Sequence, residues 1–536
     1  MSVFFDFGDG RSDVAIVPWD PTHDSAWNAT EVAAQDLGYE LNVTWFSFGV
    51  QVNAIDGALG GWPSWWWHLM TWNFTARRWE QSALGASDLE VSAGTQLLWY
   101  RQVDHPQSFE TPAPALSPPF PFPWTTFRGA SGNPGSRNTG EESREWSGGP
   151  QNQAELKWSY DTGQWEADGT PLVLGGRLYV STENGLVALA VEDGSVVWAR
   201  PDIRGMSTPA YFNGSLLVGG MDGSFHAVNL ATGAEIWNFT GETGWSISSS
   251  PMIIKGVGVV GVFNTSGGDG AVLGFDLFAR KLSWRHNVTS VHLSSAASNG
   301  EFVYIGITGK YGQSQDRWDP PFGLLSLTLE GTKRWFFPTD GPVASSPMLL
   351  GERVYFTSRG KSLYALTVNG ALAWRAEIGY STSSPATDGE KIYVGSGSLD
   401  GQGKVRAFDQ KGKEIWTRIT SGGVQSSPVV DGERVYVATN TAKGSVIALN
   451  ATTGKLVWSV TPTPEQYILG SPTIWDGHLF IATDSGFVFA YVEKEEKHED
   501  EPSLSLGAWI ALVAVVALGL IMSTYLLIKR KGRPPR

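Results

Sequence analysis

The sequence predicts a mainly β protein: an eight-bladed β-propeller, preceded by a small β-rich α+β domain and followed by one transmembrane helix. Three observations support this. The chain of 536 residues has 64 glycines and 25 tryptophans but only 17% charged residues, which is typical of a compact, turn-rich β protein. A tryptophan that closes a short apolar strand recurs at gaps of 39 to 51 residues. A long uncharged apolar run lies close to the C-terminus.

Residues 1–105 are predicted to form a separate β-rich domain. Ten of the 25 tryptophans lie between Trp19 and Trp99. Since side chains alternate between the faces of a strand, Trp65 and Trp67 share one face and Trp66 takes the other. The three are candidates for an aromatic platform that captures a sugar or another ring-shaped ligand. The alternative is that they fill a small two-layer core.

This N-terminal domain resembles the transcobalamin-like C-terminal domain family. The resemblance rests on a first strand at residues 3–7, a helix at 29–37, an aromatic strand at 65–72 and the segment 94–99. The family name implies a corrinoid ligand, for which the residues give no independent reason. Residues 106–123, of which seven are proline, are predicted to be an extended, semi-rigid linker.

Residues 124–492 contain eight repeats, each with a Ser/Thr-rich start, two glycine-containing turns and a terminal tryptophan. A period near 40 residues with four short strands is typical of a propeller blade. The first tryptophan precedes any complete repeat, so its strand is expected to complete the last blade and remove an exposed edge. The predicted docking tryptophans are Trp158, Trp198, Trp237, Trp284, Trp335, Trp374, Trp416 and Trp458.

The segments 227–237 and 448–458 resemble the PQQ-like, tryptophan-docking repeat. The lead-in at residues 124–129 is similar to the stretch that often opens such propellers, whereas the third and fourth repeats depart from the pattern. The resemblance implies that the tryptophans dock neighbouring blades. It implies either a PQQ-dependent alcohol or glucose dehydrogenase or a scaffold like the outer-membrane assembly lipoprotein BamB.

The sequence shows no catalytic constellation that matches this resemblance. The chain has no cysteine, so the vicinal cysteine pair of many quinone-dependent alcohol dehydrogenases is missing. Asp316, Asp319 and Asp400 lie in loops where aspartate commonly forms turns, and the eight histidines show no metal-binding spacing. We therefore expect neither PQQ nor calcium as a cofactor, no metal site, no catalytic residues and no enzymatic activity.

Extra residues fall between the second and third strands of three repeats, at 264–270, 310–321 and 396–404. These connections all emerge on one face of a propeller, where rigidly held loops often bind partners. Tyr311, Arg317 and Trp318 are the candidate interaction residues, because such residue types are common in binding hot spots. The predicted function is a protein- or ligand-binding scaffold. The alternatives are a PQQ-dependent oxidoreductase and sugar or corrinoid capture by the N-terminal domain.

Residues 506–528 are predicted to form the transmembrane helix, because 23 helical residues span about 34 Å. Residues 493–505 form a charged stalk and residues 529–536 a basic tail, which places the C-terminus in the cytoplasm by the positive-inside rule. The bulk of the chain would then lie outside the cell. Residues 1–7 lack the features of an export signal, so either a signal lies upstream or the protein is tail-anchored and faces the cytoplasm.

Two further features bear on partners and location. The net charge of −14 argues against nucleic-acid binding. Eight sequons favour the outward orientation and predict a glycoprotein. They lie at Asn28, Asn42, Asn73, Asn213, Asn238, Asn264, Asn287 and Asn450. The predicted protein is thus a single-pass cell-membrane protein with an unidentified protein or small-molecule ligand.

Overall fold

The structure is a computed structural model of the chain. It describes residues 2–7, 12–16, 25–37, 39–46, 49–59, 66–73, 78–82, 84–91, 96–102, 128, 148–163, 169–174, 176–212, 214–266, 268–312, 317–494, 518 and 520–524. Residues 1–493 form one compact unit, and residues 494–536 form a second.

The N-terminal region combines one helix with two sheets. The larger sheet has the strand order β2-β1-β8-β6-β7, and the smaller has the order β3-β4-β5. The elements are β1 (Ser2–Asp6), β2 (Ser12–Ile16), α1 (Ala26–Leu37), β3 (Leu41–Phe46), β4 (Gly49–Ile55), β5 (Ala58–Leu59), β6 (Trp66–Asn73), β7 (Arg78–Gln81) and β8 (Gln96–Gln102).

Helix α1 begins after Ser25, whose hydroxyl accepts a hydrogen bond from the Asn28 backbone N–H at 3.2 Å, as an N-cap residue does. The helix covers one face of the larger sheet, and Trp99 of that sheet donates its indole N–H to the buried Thr30 hydroxyl at 2.8 Å. Because strand side chains alternate, Phe4 faces away from the helix. It belongs instead to a hydrophobic cluster with residues of the first two repeats, such as Tyr211.

Eight antiparallel sheets follow along the chain. Sheet 1 contains β10 (Leu172–Leu174), β11 (Arg177–Thr182), β12 (Gly185–Ala190) and β13 (Val196–Arg200); sheet 2 contains β14 (Ala210–Phe212), β15 (Ser215–Gly219), β16 (Phe225–Asn229) and β17 (Glu235–Phe239). Sheet 3 contains β18 (Trp245–Ser246), β19 (Met252–Ile254), β20 (Val257–Asn264), β21 (Gly270–Asp276) and β22 (Lys281–Val288). Sheet 4 contains β23 (Ala297–Ser298), β24 (Phe302–Ile307), β27 (Gly323–Thr328) and β28 (Lys333–Pro338), and carries the separate hairpin β25 (Lys310–Gly312) and β26 (Arg317–Asp319).

The remaining four sheets repeat the same plan. Sheet 5 contains β29 (Met348–Leu350), β30 (Arg353–Thr357), β31 (Ser362–Thr367) and β32 (Leu372–Glu377); sheet 6 contains β33 (Ala386–Thr387), β34 (Lys391–Ser396), β35 (Gly403–Asp409) and β36 (Glu414–Thr420). Sheet 7 contains β37 (Val429–Asp431), β38 (Arg434–Ala438), β39 (Val446–Asn450) and β40 (Leu456–Val460). Sheet 8 contains β41 (Thr473–Trp475), β42 (His478–Ala482), β43 (Phe487–Glu493) and, from earlier in the chain, β9 (Ala154–Asp161).

Each of the eight repeat tryptophans lies on the last strand of its sheet, opposite a small residue of the neighbouring strand. A register shift follows directly after that small residue in every sheet. The small side chain leaves room for the indole to lie over its own sheet. The pairs are Ala188–Trp198, Ala227–Trp237, Gly274–Trp284, Ser326–Trp335, Ala365–Trp374, Ala407–Trp416, Ala448–Trp458 and Ala490–Trp158.

The indoles also contact the next sheet. Trp416 of sheet 6 donates to the carbonyl of Ala451 in sheet 7 at 3.0 Å, while the Tyr393 hydroxyl beside it donates to the Asp388 carboxylate at 2.7 Å. In three other contacts a tyrosine hydroxyl and the indole N–H donate to the same carbonyl: Trp198 and Tyr179 to Leu230, Trp335 and Tyr304 to Val368, and Trp458 and Tyr436 to Pro150. A tyrosine and a tryptophan of one sheet therefore share one backbone acceptor of the next.

A series of buried hydroxyls joins the starts of the repeats. The backbone N–H of Thr208 donates to Ser250 Oγ of the next repeat at 3.0 Å, and five further bonds of 2.8 to 3.0 Å continue the pattern. The series runs through Thr208, Ser250, Ser295, Ser346, Ser384, Ser427 and Ser471. Each bond satisfies a buried backbone donor that would otherwise cost about 1–3 kcal/mol.

The two ends of the repeat region meet in sheet 8. As expected from the sequence, β9 pairs antiparallel with β43, which covers the edge of the last sheet. Glu493 adds a second tie, because its carboxylate accepts backbone N–H groups of Gln151, Asn152 and Gln153. Trp158 then donates to Val191 of sheet 1 at 2.8 Å, which links sheet 8 to sheet 1.

The observed repeat strands lie mainly within the predicted propeller, whereas most of the predicted membrane span lies outside the described residues. The repeat strands begin at Ala154 and end at Glu493, within or next to the predicted propeller of 124–492. None of the helices among the described residues is long and apolar enough to cross a membrane. Most of the predicted span 506–528, all of the basic tail and the linker 106–123 lie outside the described residues.

We call the turn on which the indole of the preceding sheet packs the docking turn. This turn is expected to need glycine, because the indole leaves no room for a Cβ atom. Gly454 has a φ of +66°, and a Cβ added there would lie 2.5 Å from Cε3 of Trp416. Gly432 has a φ of +56°, and a Cβ there would meet nothing within 4 Å. Both alanine substitutions carry the penalty of a positive φ, about 1 kcal/mol, but only Gly454→Ala adds a clash.

Chemical denaturation should therefore show Gly454→Ala destabilised by about 1–3 kcal/mol more than Gly432→Ala. Equal losses for the two variants would contradict the docking of Trp416 on this turn.

Candidate functional site

The candidate site lies in the connections between second and third strands of sheets 3, 4 and 5. In sheet 4 this connection is the hairpin β25–β26, in which Tyr311 pairs with Trp318. Lys310 at the base of the hairpin lies 3.6 Å from Asp269 in the corresponding connection of sheet 3. The connections of neighbouring sheets thus meet on one face, which we call the loop face.

Five side chains form an aromatic and cationic group on the loop face, which we call the loop cluster: Phe263, His292, Tyr311, Trp318 and Arg359. The Trp318 ring centroid lies 5.1 Å from that of Tyr311 and 5.7 Å from that of His292. The His292 ring meets Phe263 edge-on at 4.8 Å. The Arg359 Cζ atom lies 5.7 Å from the Trp318 centroid, within the range of a cation–π contact.

His292 is held by the backbone on both sides. Val291 donates its N–H to the Val262 carbonyl of sheet 3 at 3.3 Å. Leu293 has a φ of +67°, which is unfavourable for a leucine, and its N–H donates to Ser248 Oγ at 3.0 Å. The imidazole therefore projects from a segment that sheet 3 holds in a strained conformation, as is common for residues at binding sites.

The cation inside the loop cluster and the cations at its rim, Lys310 and Arg317, differ in whether a carboxylate pairs with them. Arg317 pairs with Asp319 at 3.1 Å and Lys310 pairs with Asp269, so the charges of these two rim cations are compensated. Arg359 has no ion pair within the described part of the chain, and its Nε atom is buried without a hydrogen-bond partner there. Burial and, to a smaller extent, the Arg359 charge lower the pKa of His292 to about 4, so the imidazole is neutral at pH 7.

The structure brings two of the three predicted interaction residues together. Tyr311 and Trp318 are half-buried within the cluster, whereas Arg317 projects outward with 63% of its side chain exposed. Sequence reasoning missed Phe263, His292 and Arg359. They lie on β20, on the connection between sheets 3 and 4, and on the connection after β30, and no local pattern in the sequence connects them.

The predicted aromatic platform is only partly described. Trp65 lies outside the described residues, and Trp66 is placed in β6 but its side chain is not described. Trp67 packs edge-on against Phe7 at 5.5 Å and donates to the Ala58 carbonyl at 3.1 Å. These contacts place Trp67 against the N-terminal core. Sugar or corrinoid capture by this domain stays a prediction.

The sequons occupy different environments, and their use stays a prediction. Asn28 lies in helix α1, Asn42 in β3 and Asn73 at the end of β6, while Asn213 lies outside the described residues. Asn238 and Asn287 are exposed on outer strands. Asn264 ends β20, and the Asn450 Oδ1 atom accepts backbone N–H groups of Thr452 and Thr453.

A second polar group lies in sheet 2. His226 Nε2 is 2.7 Å from Ser224 Oγ, and His226 Nδ1 is 2.8 Å from a Glu235 carboxylate oxygen. This chain of contacts resembles a catalytic triad, with Ser224 in the place of the nucleophile, His226 in that of the base and Glu235 in that of the orienting acid. The Ser224 hydroxyl, however, donates to the Asp222 carboxylate, so its proton is not directed at His226. This arrangement favours a role in closing the turn before β16.

The calcium–quinone pair implied by the family resemblance needs several carboxylate or amide oxygens around the ion. No group of three histidine, aspartate or glutamate side chains suited to a metal ion occurs among the described residues. The hydroxyls at the repeat starts already accept backbone N–H groups. The described residues therefore offer no carboxylate cluster for the calcium ion of this pair. The absence of PQQ and calcium stays a prediction.

Several known proteins are similar to this chain. The dehydrogenase subunit of the quinone alcohol dehydrogenase of Gluconobacter oxydans is 28% identical over 24% of this chain and 20% of its own length. The outer membrane protein assembly factor BamB of Yersinia pestis is 29% identical over 24% of this chain and 35% of its own length. The matched segment thus spans only about a fifth to a third of these relatives.

A solved structure covers more of the chain. The quinohemoprotein alcohol dehydrogenase of Comamonas testosteroni matches 70% of this chain and 81% of its own, with a TM-score of 0.57 and 14% sequence identity. Since the identity is this low, the likeness shows the propeller-like fold and no more.

The expectation that the chain is not an enzyme is wrong, because the relatives that match it include alcohol dehydrogenases as well as BamB. The expectation failed because missing cysteines and calcium ligands argue only against one arrangement of the quinone cofactor. Enzymatic activity in general does not require that arrangement.

The family of the chain follows from a match over most of the repeat region. The family model described as outer membrane protein assembly factor BamB matches residues 151–312, 325–402 and 401–499, together more than half of the chain. This confirms the predicted PQQ-like, BamB-like resemblance. The chain therefore belongs to the family of the outer membrane protein assembly factor BamB.

Proposed function

We propose that this chain is a binding scaffold in which a closed eight-bladed propeller holds the loop face toward a protein partner. Closure is supported by contacts between neighbouring sheets, among which Trp158 and Thr473 of sheet 8 each donate a hydrogen bond to the region of sheet 1. The observation that carries the function is the hairpin β25–β26. It holds Tyr311 and Trp318 half-buried beside exposed Arg317, a combination common in binding hot spots.

The loop face continues beyond the hairpin. Leu399, in the corresponding connection of sheet 6, is 54% exposed, and the neighbouring Asp400 accepts a hydrogen bond from the Tyr467 hydroxyl at 3.2 Å. Leu399 is therefore a second accessible position on the loop face, apart from the hairpin. The word "assembly" in the name of BamB describes that relative and is consistent with this proposal.

The proposal is tested by site-specific photo-crosslinking of the full chain in cells that express it. We expect a photoreactive residue at Arg317 or Leu399 to capture one discrete partner, because both side chains are exposed on the loop face. The matched control is Leu372, which is 51% exposed on the last strand of sheet 5. Equal capture at Leu372, or no capture at the two loop positions, would contradict the proposal.

A second candidate function is quinone-dependent oxidation, which is favoured by the dehydrogenases among the relatives. If it holds, the purified protein mixed with pyrroloquinoline quinone and Ca²⁺ should retain the quinone chromophore through gel filtration and reduce a dye when an alcohol is added. Denatured protein is the control. A protein that elutes without chromophore and leaves the dye unreduced would remove this candidate.

We further propose that residues 506–528 anchor the protein, with its bulk outside the cell and the basic tail in the cytoplasm. The apolar run, the tail and the eight sequons support this orientation. Protease added to intact cells should release a large soluble fragment, while a tag after Arg536 stays protected. Digestion of the bulk only after permeabilisation would show the opposite orientation.

A further inference from the structure

We propose that His292, Arg359 and Trp318 form a binding site for the carboxylate group of a ligand. The inference rests on the proposed function, because it concerns the same loop face, and it adds the chemistry that this face recognises. Neither the family nor the names of the relatives assign a ligand to these residues.

Two buried nitrogen atoms lack a partner in this part of the molecule. Nδ1 of His292 and Nε of Arg359 are both buried, and neither has a hydrogen-bond partner within the described residues. A buried polar group left without a partner costs about 1–3 kcal/mol. The two residues contact one ring, since the His292 ring and the Arg359 guanidinium each lie 5.7 Å from the Trp318 centroid, and the Arg359 charge acts on the His292 imidazole.

The charges decide what the missing partner is. Arg359 can only donate hydrogen bonds, so the partner must accept. The nearby rim cations Lys310 and Arg317 are compensated by aspartates, while Arg359 is the loop-cluster cation that no described carboxylate compensates. An anion is therefore favoured over a neutral acceptor. With two oxygens, a carboxylate can accept from Arg359 and from His292 at once.

His292 suits this role as a neutral donor. Because burial and the Arg359 charge hold the pKa of His292 to about 4, a second cation does not arise beside Arg359 at pH 7. A carboxylate oxygen next to Nδ1 would select the tautomer that carries its proton there. Trp318 and Tyr311 form a half-buried aromatic wall, against which the apolar or planar body of the ligand can pack.

The test compares acids with their amides, because the two differ in charge but hardly in shape. Benzoate and benzamide probe a small-molecule source. Acetyl-Gly-Gly-Phe and its C-terminal amide probe the end of a peptide chain. We expect calorimetric titration of the purified full chain to show saturable binding of at least one acid, about tenfold or more tighter than its amide.

The variants separate the site from general charge effects. Arg359→Gln should weaken binding of the acid about tenfold and leave the amide unchanged. Arg353→Gln removes the same charge at the opposite end of β30 and should change neither. His292→Phe provides a second variant if Arg359→Gln fails to fold, which its melting temperature will show. Trp318→Ala should weaken acid and amide alike.

Equal binding of acid and amide, no saturable binding of either acid, or equal effects of Arg359→Gln and Arg353→Gln would overturn the proposal. Binding of benzoate alone assigns the site to small acids, and binding of the peptide acid alone assigns it to chain ends. Crosslinking at Arg317 that survives Arg359→Gln would show that the scaffold function stands even where the carboxylate site fails.

Discussion

The architecture depends on one contact between neighbouring sheets, in which an indole N–H donates to a backbone carbonyl of the next sheet. In the contact between sheets 1 and 2, a tyrosine hydroxyl joins it, and Trp198 and Tyr179 share the Leu230 carbonyl. Each indole needs a small residue beneath it on its own sheet, and in most repeats a glycine on the next. The Ser/Thr series at the starts of the repeats joins the same neighbours through a second set of bonds.

Sheet 3 shows what happens when part of this contact is missing. Its docking turn has Arg280 at a φ of +54° where most repeats have glycine. Trp237 of sheet 2 packs instead beside Phe225 and Phe275, which stack at 4.5 Å. Aromatic packing thus replaces the close approach of indole and turn. The repeat can vary locally because each sheet depends mainly on its two neighbours.

For the proposed binding function, the packing of neighbouring sheets has a consequence at the loop face. Phe263, His292 and Arg359 lie on separate strands and connections, and their relative positions are set by the sheets that carry them. Strain at Leu293 is tolerated since Ser248 and the backbone of sheet 3 hold that segment. Binding residues on short connections between packed sheets lose little conformational freedom when a ligand binds, which favours affinity.

The sequence by itself determined the repeats, their eight tryptophans, the strand that β9 lends to sheet 8 and the hairpin with Tyr311 and Trp318. All of these depend on spacing along the chain, since a strand, a turn and a docking indole recur at fixed intervals. The shared carbonyl, the Ser/Thr series and the group around His292 were decided by the tertiary structure. Most of their members lie in different sheets or in the connections between sheets, and only the packing of one sheet against the next brings them together.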